Sequence, residues 1–251
     1  MCGTLRMTAR LLLAATVALL ALLWQAAASA GWIDSFTVPP PAEILAGLPQ
    51  LVTEEELGRR FLTTFLEAFA AAALAVAVGV PLGLLLHRSR RAGRAFEPWV
   101  AALAAAPLVL LYPLFLVLVG RNLATVVLMG ALAGLPAMVL KTKEGFDATR
   151  PVLLHVARGF GLSRADVFWK VLVPSAVPTL ANGVRLALVF ALINIVGIEF
   201  LVNLGGLGQL IADLSDRYEL ALMYGAVLFV ILVSTCFFVL TEWLERWMCP
   251  V

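Results

Sequence analysis

Charge is what this 251-residue sequence has least of: Asp, Glu, Lys and Arg make up 14% of it, and hydrophobic residues reach 62%. Soluble domains carry about 25% charged residues, so a water-soluble globule is excluded and most of the chain must meet lipid. Cysteine is scarce as well. Cys2, Cys236 and Cys249 are scattered, with no metal-ligand spacing and no two in one outer loop, so neither a metal site nor a disulfide is expected. The two histidines, His87 and His155, have no acid pair within the apolar stretches to work with, which removes the groups an intramembrane enzyme needs. None of Lys141, Lys143 or Lys170 follows a glycine. The Gly-Lys pair of a phosphate loop is therefore missing, and no cofactor or nucleotide is expected to bind this chain. A net charge of +2 is too small to suggest a nucleic-acid partner.

What is present is long apolar runs. Six of them, at 11–29, 62–86, 99–119, 123–140, 183–202 and 219–241, contain only Glu67, Arg185, Glu199 and Glu219 as charged residues. Runs near 20 residues match a hydrocarbon core of about 30 Å at 1.5 Å per residue. The pattern predicts an all-α, polytopic membrane protein with six transmembrane helices. Lys and Arg outside the runs are strongly sided: thirteen lie at the amino terminus, 87–98, 141–182 and the tail, and four in the alternate loops. The positive-inside rule places both termini in the cytoplasm.

Residues 1–30 read as a first transmembrane signal-anchor. Arg10, the run from Leu11 to Trp24 and Ala28-Ser29-Ala30 also fit a cleaved secretory signal. Residues 31–60, with Pro39-Pro40-Pro41, read as an extracytoplasmic connector with one short helix over 42–51. Residues 61–245 form the core, including a cytoplasmic loop at 141–182, and 246–251 a cytoplasmic tail. Gly120-Arg121-Asn122 reads as a tight turn joining the third and fourth runs into an antiparallel hairpin.

The 141–182 loop carries the most specific pattern. A helix over 152–160 ends at Gly161, which alone enters the left-handed region cheaply. Ser163 and Asp166 form a Ser-x-x-Asp capping box for a second helix. That helix buries Val167, Phe168, Val171 and Leu172 on one stripe, shows Arg164 and Lys170 to water, and is expected to stop at Pro174 and Pro178. From the residues alone, a helix pair lying on lipid headgroups is an equal reading.

Ala157, Gly161, nine residues, then Val171-x-Val173-Pro174 resembles the signature of bacterial ABC importer permeases, Glu-Ala-Ala-x3-Gly-x9-Ile-x-Leu-Pro. The wider segment, with Pro107, Pro113-Leu114, Leu135-Pro136, Glu199 and Gly206-Leu207-Gly208-x-Leu210-Ile211, is similar to the subgroup that imports nitrate, sulfonates, taurine and bicarbonate-like solutes. His155 stands where the signature has Glu, and Glu67 where the subgroup often has Arg. The resemblance implies a type I ABC importer permease-like fold and a cytoplasmic two-helix coupling loop at 155–174. His155, Ala157, Arg158, Gly161, Ser163, Arg164, Asp166, Phe168, Val171 and Pro174 would serve there. Its implied partners are a cytoplasmic ABC ATPase, which binds the ATP and Mg, an extracytoplasmic solute-binding protein, and a second copy of the chain in a homodimer within membrane lipid.

For the translocation path or gate the candidates are Asn194, Glu199 and Asn203, because ionisable and polar groups in lipid normally face a cavity or a partner. Asn203, four residues beyond Glu199, is one turn further on the same face. Glu199 is read as lining the gate or holding a structural partner, and Glu67 qualifies as that partner if protonated or bridged by a cation. The rival class is an ATP-independent secondary transporter or channel, which should show inverted repeats; none is convincing in this sequence.

Overall fold

The computed structural model describes residues 2–34 and 36–248, and the side chains of residue 12 and of residues 15–239 other than 35. Every regular element among the described residues is helical. In chain order these are α1 (Cys2–Ser29), α2 (Pro41–Thr53), α3 (Leu57–Arg88), α4 (Arg90–Ala105), a 3-10 turn (Leu108–Leu111), α5 (Tyr112–Val119), α6 (Leu123–Asp147), α7 (Pro151–Gly159), α8 (Arg164–Val167), a π turn (Phe168–Leu172), α9 (Val173–Leu201), α10 (Gly206–Asp216) and α11 (Leu220–Met248).

Four segments among the described residues are long and apolar enough to cross a membrane: Leu57–Arg88, Leu123–Asp147, Arg164–Asp216 and Leu220–Val239. A fifth arises if the bent pair Arg90–Ala105 and Leu108–Val119 forms one span. The first of the six expected runs corresponds to α1, whose described apolar part, Ala15–Ser29, is shorter than a span. The side chains of its first turns, and residues 249–251 of the expected tail, lie outside the described residues.

The chain divides into two compact units, Met1–Gly58 with Leu210–Ile231, and Arg59–Gln209 with Leu232–Val251. In the first, α2 turns Ile44, Leu48 and Leu51 toward Gly225 of α11. Ile44 and Leu51 are fully buried there. Arg217 clamps Glu55 at 2.6 Å.

The second unit is built on α6. Its small residues let the neighbouring backbones approach, the packing mode that works where lipid is as apolar as the core. A side-chain carbon on Gly134 would stand 2.6 Å from the Ala187 carbonyl of α9, and one on Gly83 of α3 would stand 2.6 Å from the Val139 carbonyl of α6. Toward the start of α6, Ala68, Ala71, Val126, Met129, Ala191, Ile195 and Ile198 close the core. Phe65, Phe69 and Phe237 pack edge to face, with centroids 4.6–5.9 Å apart.

Prolines shape two of these elements, and one expectation about them needs correction. The third run, 99–119, is not a straight span: α4 begins already at Arg90, and the arms on either side of Ala106-Pro107 meet at 88°. Proline forces its predecessor out of the helical region, and Ala106 is extended at φ −74°, ψ 138°. The resulting hairpin with α6 thus has a bent first arm. Its turn is as expected: Asn122 accepts the Thr125 N–H and donates to the Val119 carbonyl. Conversely, Pro174 and Pro178 do not stop the second loop helix, which continues through the π turn into α9. The wider turn, in which the Val173 N–H reaches back to the Phe168 carbonyl, relieves the clash that a proline ring makes with an α-helical carbonyl four residues earlier.

Candidate functional site

The segment 150–174 folds as a bent helical element at the end of α6. Pro151 opens α7, where a missing N–H is no loss. Gly161 closes it at φ +69°. Its N–H donates to the Arg158 carbonyl and that of Leu162 to the Ala157 carbonyl, at 2.9 and 3.2 Å, the paired bonds of a Schellman cap. Ser163 then caps α8 by accepting the Asp166 N–H at 3.1 Å. Its hydroxyl donates to the Asp166 carboxylate, and Lys170 pairs with that carboxylate at 2.6 Å. The hydrogen bonds from Lys170 and from Ser163 hold the Asp166 carboxyl below its usual range.

Phe168 anchors the element. Its ring stacks on Phe146 at 6.0 Å and 19°, and the Arg88 guanidinium lies over it at 5.6 Å. Ala157 is buried, whereas Val167, Phe168, Val171 and Leu172 are half-buried. The expected stripe therefore faces inward. The apolar surface left uncovered includes Val152 and Val156 of α7 and Phe160 at its C-cap, at 60%, 50% and 82% exposure, with Trp169 of the π turn at 67%. Sequence reasoning missed this face, although the i, i+4, i+8 spacing of Val152, Val156 and Phe160 could have shown it. His155, Arg158, Arg164 and Pro174 are also exposed.

A second polar cluster joins α3, α9 and α10. Glu199, on the last turns of α9, is 1% exposed. It accepts the Thr64 hydroxyl at 2.8 Å and the Gly208 N–H at 2.9 Å. The Thr64 hydroxyl in turn accepts the Leu207 N–H at 2.8 Å. Two first-turn donors of α10, which no intrahelical carbonyl can serve, are thus satisfied by α3 and α9. An anionic acceptor there also suits the positive end of the helix.

The turn is shaped around this carboxylate. Gly206 sits at φ +88°, and a side-chain carbon on it would fall on the Glu199 carboxylate. One on Gly208 would strike the Val196 carbonyl. Glu67, one turn from Thr64 on α3, is buried as well, at 4% exposure, with its Oε2 unpartnered.

The other path candidates are not gathered here. α9 ends at Leu201 and Val202 is extended at φ −132°, ψ 116°. Asn203 therefore leaves the helix and does not share the Glu199 face. It is exposed, and its carbonyl accepts from Arg121 at 2.6 Å. Asn194 is half-buried on α9, with Oδ1 unpartnered. Sequence reasoning missed Thr64, which no local signal ties to Glu199. Among the described residues, no group of three or more His, Cys, Asp or Glu is placed to hold a metal ion.

Residues 75–249 match the family described as the binding-protein-dependent transport system inner membrane component. A probable ABC transporter permease protein of Haemophilus influenzae is 28% identical over 229 residues, covering 91% of this chain and 92% of that one. The taurine transport system permease protein TauC of Escherichia coli is 24% identical, with 80% and 75% covered. A putative aliphatic sulfonates transport permease protein, SsuC of Bacillus subtilis, is 25% identical, with 76% and 69% covered. The fold matches a chain of the MetNI methionine ABC transporter in an inward-facing conformation with a TM-score of 0.68 at 19% identity, covering 77% of this chain and 96% of that one. These likenesses agree with the all-helical fold and its apolar helices. The chain belongs to the binding-protein-dependent transport system inner membrane component family and is a multi-pass permease subunit of an ABC importer.

Proposed function

We propose that this chain forms the translocation half of an importer for a small sulfonate-, taurine- or nitrate-like solute, handed over by an extracytoplasmic binding protein. Residues 155–174 couple it to a separate ATPase that holds ATP and Mg. One chain carries one such element and two ATPases close on each other, so a homodimer is part of the proposal. Both termini lie in the cytoplasm, on the side of the basic loops.

The observation that carries the reading is the uncovered apolar face of α7 on a rigidly capped element. An apolar ridge of Val152, Val156 and Phe160 suits a partner's groove, and the nearby Arg158 and Arg164 suit electrostatic steering of the encounter. Glu199 is proposed to hold the turn before α10 in place at the gate. An acid would repel an anionic cargo, so its role is structural. The names of the taurine and sulfonate relatives support the solute class.

The test is uptake into proteoliposomes holding the chain with its co-purifying ATPase and binding protein. ATP-dependent accumulation of taurine, an alkanesulfonate or nitrate is expected only with all components. Accumulation by the chain alone, driven by an ion gradient, contradicts the proposal and favours a secondary transporter.

A further inference from the structure

We infer that the ends of α3, α4 and α6 form a specific site for an anionic phospholipid. Two adjoining cavities carry the inference. One, of about 520 Å³, is polar and lined by His87, Arg90, Arg94, Glu97, Lys143 and Asp147. The other, of about 320 Å³, has hydrocarbon walls that include Leu82, Phe96, Leu103 and Leu135. Leu86 lines both, so the polar chamber opens beside an apolar groove.

The charges in the polar chamber are not balanced among themselves. Lys143 bridges Asp147 at 2.8 Å and Glu97 at 3.1 Å, and His87 Nδ1 contacts Asp147 at 2.6 Å. Both acids of the wall are thereby engaged. Arg90 and Arg94, one turn apart on α4, are exposed. The Arg94 Nε donates at 3.4 Å to the Arg90 carbonyl, and no carboxylate among the described residues pairs with either guanidinium. Two guanidinium groups spaced by one turn suit a phosphodiester, which they can clasp with several N–H donors.

The groove runs from Phe96 to Leu103 along α4, about 10 Å at 1.5 Å per residue. A free phosphate has no use for that wall, whereas an acyl chain fills it. The combination is the one expected for a headgroup pocket between transmembrane helices. It requires membrane insertion and does not rest on the transported solute or on the ATPase.

The test uses the full chain in dodecyl maltoside, with native mass spectrometry against dioleoyl phosphatidylglycerol, dioleoyl phosphatidylcholine and inorganic phosphate. Phosphatidylglycerol is expected to bind in preference to phosphatidylcholine. The double variant Arg90→Ala/Arg94→Ala, whose side chains are exposed, should melt like the parent without lipid and lose that preference by about 30-fold. Leu103→Trp should weaken phosphatidylglycerol by filling the groove, with the guanidinium groups intact. Equal binding of the two lipids by the parent, an unchanged preference in the double variant, or inorganic phosphate competing as well as phosphatidylglycerol would each overturn the site.

Discussion

Replacing Gly161 by valine is expected to abolish ATP-driven uptake while the chain still inserts and assembles in the membrane. The position lies at φ +69°, and no atom lies within 4 Å of where a side chain would begin. The cost is therefore backbone strain and not a clash. For an L-residue that strain is about 1–2 kcal/mol, and a β-branched side chain sits at its upper end. About 2 kcal/mol corresponds to a factor of roughly 30 in the population of the bent form. The two Schellman bonds from Gly161 and Leu162 are lost with it, and α7 no longer presents its ridge at the angle set by Phe168. Asparagine, which enters the left-handed region at little cost, should retain most uptake. Uptake and ATPase stimulation equal to the parent in the valine variant would separate the bend from coupling.

Replacing Glu199 by alanine is expected to lower stability more than any surface change. It strips the acceptor from the buried Gly208 N–H, leaves the Thr64 hydroxyl only the Arg60 carbonyl at 3.3 Å, and empties the space of a buried side chain. The orphaned N–H costs about 1–3 kcal/mol and the cavity about 2 kcal/mol more, so a total near 4 kcal/mol is expected. Thermal melting in detergent should fall by about 10 °C. Thr64→Val, which leaves the Leu207 N–H without its acceptor, should cost less. Combining the two should cost less than their sum, because they share one network. A melting point within a degree or two of the parent for Glu199→Ala would show that the carboxylate does not hold the turn.

These two positions also show what could be read before the fold was known. The bend at Gly161, the Ser163 cap and the Asp166 reply are all legible because their partners lie within five residues, where sequence spacing is distance. The same holds for the Asn122 turn and for the helix in the 31–60 connector. Glu199 stood out as a charge in an apolar run, but its partners did not. Thr64 is 135 residues away, and the Leu207 and Gly208 donors are backbone groups that no side chain announces.

A proline by itself does not decide how a helix ends. A ring forbids a particular hydrogen bond, but the chain chooses how to absorb that loss. At Pro107 it breaks by 88°, while at Pro174 a π turn carries the helix through. The burial of Val167 and Val171 was legible as a stripe, but what they pack toward was not. An amphipathic stripe tells which residues share a face, and only the stacking of Phe168 on Phe146 decides which way that face points.

The central claim is that the uncovered face of α7 meets an ATPase. A photoreactive amino acid placed at Phe160 in the assembled, native-membrane complex tests it most directly. The account predicts an efficient crosslink to a cytoplasmic ATPase subunit, weakened by the Gly161→Val change, and none from a probe at Trp32 on the connector. Crosslinking from position 160 only to lipid, with the ATPase present and active, would contradict it.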